Sequence, residues 1–165
     1  MSGKIEHEGP GFALASYGLV NIAVWSQTPR VDHIKRTYAL SLRLSRDNPG
    51  KKIISLSLVN TRSGVPDFET RKLSAEVIKK VTPFTAASVT VLEGQGFVVG
   101  AARAVVQSIH LLARTDYPQR VFASIEESAK FVAETCGYNA EQAQEISVLV
   151  SDARARLASA PCGSV

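Results

Sequence analysis

Between Val89 and Arg103 the chain reads Val-Thr-Val-Leu-Glu-Gly-Gln-Gly-Phe-Val-Val-Gly-Ala-Ala-Arg: an apolar run, a turn bracketed by Gly94 and Gly96, then the small-residue face of a helix. A strand that passes through Gly-x-Gly directly into a helix is the centre of an α/β unit, since parallel strands need a helical crossover. At such a junction the backbone N–H groups of the first helical turn point outward and suit an anion. The same glycines also allow helix and sheet to approach closely. No P-loop lysine follows, the third glycine is Gly100 rather than the one GxGxxG requires, and Glu93 puts negative charge where a phosphate would sit. Close packing is therefore favoured at Gly96 and Gly100, with ligand or partner contact at Glu93, Gly94, Gln95 and Gly96 kept as the second reading.

The flanking segments extend the α/β pattern. Residues 1–11, ending in Gly9-Pro10-Gly11, read as a flexible leader. Phe12 to Tyr17 and Leu19 to Trp25, divided at Gly18, read as an antiparallel hairpin. Thr28-Pro29 offers an N-cap and a first-turn proline to a helix striped by Val31, Ile34, Tyr38 and Leu42 that stops before Pro49-Gly50. Ile53 to Val59 alternates apolar residues with Ser55 and Ser57, a strand with one partly polar face. Asp67 caps a helix to about Thr82, Ala86 to Leu92 is a strand, Phe97 to Arg114 a helix and Arg120 to Ala123 a short strand. Ser124 and Glu127 form a capping box, Gly137 ends that helix, and Asn139 to Gln142 starts a last one striped by Ile146, Leu149, Val150, Ala153 and Leu157. The order β-β-α-β-α-β-α-β-α-α predicts a mostly parallel sheet with an antiparallel edge hairpin.

Length and composition set limits on function. With 165 residues, 45% of them hydrophobic, the chain suffices for one compact domain. The apolar run Phe12 to Trp25 is broken by Ser16, Tyr17, Gly18 and Asn21, so no membrane insertion is expected. Glu6-His7-Glu8 is the wrong charge for a signal-peptide start, and a cytoplasmic location is expected. Cys136 and Cys162 stand far apart, so neither a disulfide framework nor a metal or other cofactor is expected. The net charge of +4 is unevenly spread: residues 30–52 hold seven bases against Asp32 and Asp47, and residues 125–152 hold six acids against Lys130. The first helix has no aromatic platform beyond Tyr38 interleaved with its bases, which speaks against nucleic acid.

The strand order, the string Val91 to Phe97, Leu111-Leu112-Ala113-Arg114 and the stretch Arg120 to Ala129 together resemble the SpoIIAA-like (STAS-like) domains, especially poorly characterised stand-alone bacterial versions. The resemblance covers residues 12–137, with 138–159 as a helical extension and 160–165 as a tail. It implies helices mainly on one face of the sheet and a non-catalytic module of bacterial signalling or self-assembly. In antagonists of that family a serine at the start of the helix after the third strand is the phosphorylation switch. Here that region reads Asn60-Thr61-Arg62-Ser63-Gly64-Val65-Pro66-Asp67, making Ser63 the candidate phosphoacceptor.

Thr61, Arg62, Ser63 and Gly64 follow the C-terminal end of a strand, where open α/β sheets bind ligands. A polar turn is the plain alternative. His110, between Ile109 and Leu111, reads as a partly buried, hydrogen-bonded histidine, and no serine or cysteine has the context of an activated nucleophile. No catalytic residue is assigned, and the chain is expected not to be an enzyme. The leading expectation is contact with a protein partner, or with a second copy as a homodimer, through the Thr61 to Asp67 loop, the Glu93 to Phe97 turn and the basic first helix. The alternative is a carrier or sensor holding a nucleotide or lipid between sheet and helices, motivated by Ser55, Ser57, Gly94 and Gly96.

Overall fold

The computed structural model describes residues 1–62 and 64–159. Strands β1 (Lys4–Gly9), β2 (Phe12–Tyr17) and β3 (Val20–Trp25) form an antiparallel meander. Parallel strands β4 (Ile53–Val59), β5 (Thr85–Val91) and β6 (Gln119–Phe122) then add one after another beside β3, so the six strands lie in chain order. The crossovers are made by α1 (Val31–Asp47), α2 (Phe68–Val81) and α3 (Phe97–Ala113), followed by α4 (Ile125–Cys136) and α5 (Ala140–Ser159). Right-handed crossovers between neighbouring parallel strands put their helices on the same side. The result is a mixed α/β fold with both faces of the sheet covered.

Strand alternation assigns each residue to a face. Ala13, Ala15, Ile22, Ile54, Leu56, Leu58, Val89 and Val91 share one buried cluster with Ile125 and Val132 of α4 and Ile146 and Val150 of α5. Phe12, Leu14, Ala23, Trp25 and Ile53 lie on the opposite face with Ile34, Leu40 and Leu44 of α1. Instead of gathering mainly on one face, the helices are thus divided three and two. The stripe on α5 closes over β2 and β3, so the helical extension is part of the core.

Three local expectations are also revised. Lys4–Gly9 is an edge strand, not a leader. Its polar sequence concealed it, because an edge strand can be held by backbone pairing and by charge: Glu6 accepts a hydrogen bond from Ser16 Oγ at 2.6 Å and pairs with Arg43 of α1. Secondly, α1 begins at Val31 with Arg30 as its N-cap, not at Thr28-Pro29, and the Arg30 N–H donates to His33 Nδ1 at 3.3 Å. Finally, Gly100 is exposed with open space where a Cβ would project, so it is not a close-packing glycine. The caps read from sequence at Asp67, Ser124 and Gly137 are in place, as is the reciprocal pair Asn139 and Gln142.

Candidate functional site

The two sides of β4 and β5 differ in chemistry. Toward α4 and α5 these strands present aliphatic side chains; toward α1–α3 they present Ser55, Ser57, Ser88 and Thr90. Register sets Ser55 opposite Ser88 and Ser57 opposite Thr90, a two-by-two patch of hydroxyls. Above this patch, α3 packs against α2 and makes few contacts with the strands beneath it. The space between is a cavity of about 330 Å³, within the range of small-molecule sites.

Backbone geometry at both ends of α3 sets its position. Gly94 and Gly96 have φ of 103° and 92°, a region that favours glycine, and Arg114 ends the helix in the left-handed conformation at φ 52°. Gly96 is required by its φ, since nothing lies within 4 Å of the position a Cβ would take. Over its seventeen residues α3 buries only His110 and Ala113, although its sequence is apolar nearly all round. A helix of that composition is normally enclosed. Here Phe97 is 90% exposed, Leu111 80% and Leu112 68%.

The cavity walls are apolar: Trp25, Ile34 and Ile53 on one side, Val77, Ile78 and Val81 of α2, and Val98, Val105, Val106 and Ile109 of α3. Among the described residues no Asp, Glu, Lys or Arg lines it. Hydroxyl groups and one imidazole supply the polarity. His110 Nε2 lies 3.4 Å from Ser88 Oγ, the His110 ring meets Tyr117 edge-on, and His110 Nδ1 has no hydrogen-bond partner. Burial lowers the His110 pKa to about 4, so the imidazole is neutral at pH 7, and burial pushes the Tyr117 phenol up to about 12. The indole N–H of Trp25 is likewise buried without a partner.

Of the residues singled out from sequence, Thr61 and Gly64 line the cavity, next to Val65 and Pro66. Arg62 is exposed, and its backbone N–H donates to Asn60 Oδ1 at 3.0 Å, closing a local turn. Ser63, the candidate phosphoacceptor, lies outside the described residues, as do residues 160–165 with Cys162. Glu93, Gly94, Gln95 and Gly96 sit exposed at the same end of the sheet as Thr61, and the cavity is flanked there by Leu92 and Val98 instead. Glu93 is ion-paired with Arg154 of α5. The two loops thus share the C-terminal edge of the sheet, but only the first opens onto the cavity.

Sequence reasoning found Ser55 and Ser57 and missed their neighbours. Ser88 and Thr90 alternate with Ala87, Val89 and Val91 in the same way, a signal present in the chain. Trp25 and His110 carried no signal as a pair, since only the fold brings them to one cavity. Among the described residues no three His, Cys, Asp or Glu side chains converge as metal ligands, and no helix is long and apolar enough to cross a membrane. The chain matches no family model, no curated protein and no solved structure.

Proposed function

We propose that this protein binds a small, uncharged, largely apolar molecule between the sheet and helices α1–α3. The observation that carries this reading is the cavity of about 330 Å³ whose lining is aliphatic, aromatic and hydroxylic, with no charged side chain among the described residues. Burying an ionised group there without a counter-charge is prohibitive, which favours a lipid-like molecule over a nucleotide. Binding rather than turnover is the role we assign. Ser88 and His110 approach each other, but among the described residues no carboxylate lines the cavity to orient the imidazole as a nucleophile's base requires.

The test is titration with 1-aminoanthracene, an uncharged apolar dye, while following the fluorescence of Trp25, the only tryptophan in the chain. Saturable one-to-one quenching, lost when Ala102→Phe fills the cavity in a variant of unchanged circular dichroism, is the expected result. Quenching that persists in Ala102→Phe would overturn the reading.

Contact with a protein partner or a second copy is a second reading, favoured by the solvent-facing Phe97, Leu111 and Leu112 of α3. A non-catalytic SpoIIAA-like interaction module, of the kind found in bacterial signalling, accords with the sequential strands β3–β6 and with α1–α3 on one face; α4 and α5 on the other face depart from it. Sedimentation of the protein and of a Leu111→Lys/Leu112→Lys variant separates the two readings. Self-association lost in the variant supports contact through α3, whereas a monomer at every concentration removes the second-copy form of it.

A further inference from the structure

The hydroxyl groups around the cavity fall into two kinds, according to the element that carries them. Those on helices or at their ends are already committed. Thr37 Oγ1 donates to the His33 carbonyl at 2.9 Å, Ser74 Oγ to that of Thr70 at 2.7 Å and Thr85 Oγ1 to that of Val81 at 2.8 Å, while Ser41 Oγ accepts from Asn21 Nδ2 at 2.7 Å. Such bonds to a carbonyl one turn earlier are the usual outlet for a hydroxyl on a helix.

An inner strand offers no such outlet, because its carbonyls are held in the ladders on both sides. Among the described residues, the hydroxyls of Ser55, Ser57 and Thr90 have no partner in the protein, and Ser88 has only the 3.4 Å contact with His110. These hydroxyls are not sealed either, unlike the unpartnered Trp25 Nε1 and His110 Nδ1. Ser55, Ser57 and Ser88 are partly exposed although β4 and β5 each have a neighbouring strand on either side. Leu56 and Val89, which alternate with them, are fully buried on the other face. The exposure of the serines therefore opens into the space beneath α3, which they line together with Thr90.

Opposite this floor the cavity is hydrocarbon. Val98, Val105, Val106 and Ile109 of α3 form the roof, and Val77 and Ile78 of α2 a side wall. Free hydrogen-bonding capacity is thus gathered on one surface of the cavity, and a ligand that matches it carries its oxygens on one face and hydrocarbon on the other. Neighbouring strands stand about 4.8 Å apart and alternate residues of one strand about 6.6 Å apart. Oxygens on one face of fused six-membered rings span the same range. A flexible chain would have to freeze many bonds to turn its hydroxyls toward the sheet, whereas fused rings hold them there before binding.

Resting on the ligand-binding reading above, we propose that the cavity takes an uncharged fused-ring compound of the hydroxylated steroid type. Its hydroxyl-bearing face lies on Ser55, Ser57, Ser88 and Thr90, and its hydrocarbon face lies beneath α3.

Three steroid methyl esters, competing with 1-aminoanthracene for the unmodified protein, test this. Methyl chenodeoxycholate has both hydroxyls on one face, its epimer methyl ursodeoxycholate has them on opposite faces, and methyl lithocholate lacks the second. The first is expected to bind about tenfold more tightly than its epimer, which must leave a hydroxyl unpaired against the roof. It should also bind more tightly than methyl lithocholate, although that ester is the most apolar of the three. Ser55→Ala/Ser57→Ala should cut the preference between epimers to less than about threefold, with dye affinity and circular dichroism unchanged. Equal affinity of the epimers, tightest binding by methyl lithocholate, or a preference that survives the double substitution would each overturn this inference and leave the cavity reading standing. So would failure of all three esters to displace a dye that binds one-to-one. Failure of the dye itself to bind would overturn the cavity reading, and this inference with it.

Discussion

The two faces of the sheet are made by the same strands, yet they are finished differently. Toward α4 and α5, alternate positions are aliphatic, and each fits a fully buried partner such as Val132 or Ile146. Toward α3, the alternate positions of β4 and β5 are serine or threonine, and the helix above stands away from them. One face supplies cohesion, through a continuous buried aliphatic cluster. The other is released from that task and can hold something else. Charge follows the same division: residues 30–116, which build α1–α3 and their loops, carry fourteen of the nineteen Lys and Arg but seven of the fifteen acids, so the layer over the cavity is net basic. None of that charge reaches the cavity lining among the described residues. The basic residues of this layer lie outside the cavity lining.

The contrast is most sharply tested by truncation. Ile146→Ala, at a fully buried position under the sealed face, is expected to cost about 2–5 kcal/mol in urea denaturation. Val105→Ala, on the wall of the cavity, should cost less than about 1 kcal/mol, since a side chain that already borders a void has fewer contacts to lose. Equal costs would mean that the two faces are packed alike.

A titration of stability comes next in size. His110 has a folded pKa of about 4 against 6.5 for the free imidazole, so between those values the unfolded chain holds more protons and stability rises with pH. The contribution is complete above pH 6.5 and is lost as pH falls toward 4. It amounts to about 3 kcal/mol. Since other groups titrate in both proteins, the measurement is the difference between wild type and His110→Gln in urea midpoints from pH 7.5 to 4. Parallel curves would show that His110 is solvated and that the cavity is wet at that end.

Overfilling should separate the faces by a smaller margin. Ala87→Leu pushes into the packed side and is expected to destabilise by about 1–3 kcal/mol. Ser57→Val points the added methyl groups into the cavity and should leave stability unchanged or raise it, while weakening 1-aminoanthracene binding. Thermal melts of the two variants give the comparison directly.

How far this contrast can be read from the chain depends on the distance over which each signal acts. Strands β2 to β6 and all five helices follow from local alternation, caps and breakers, and Asp67, Ser124 and Gly137 act where the sequence puts them. β1 is held by pairing with β2 and by the contact of Glu6 with Arg43, so its own residues carry no apolar pattern. The hydroxyl floor was half legible, in Ser55 and Ser57, because alternation is a local property. The cavity was not, because it depends on α3 standing off the sheet and on the fold bringing Trp25 and His110 to line the same space. The Gly94 to Gly96 turn misled for a physical reason: its glycines answer to backbone angles of 103° and 92°, and neither packing nor an anion is needed to account for them.

The smallest expected effect concerns an ion pair that joins that turn to the opposite layer. Glu93 follows β5 at the edge of the cavity side, and its carboxylate pairs with Arg154 of α5, which belongs to the sealed side. Both side chains are nearly half exposed, and an ion pair in that setting is worth at most about 1 kcal/mol and is screened by salt. Glu93→Gln should therefore change the urea midpoint little, by less than about 0.5 kcal/mol, with the difference vanishing at high salt. Dye affinity should be unchanged, since Glu93 does not line the cavity. A clear loss of dye binding in Glu93→Gln with stability preserved would show that the turn reports to the cavity, and that the two faces of the sheet are coupled through α5.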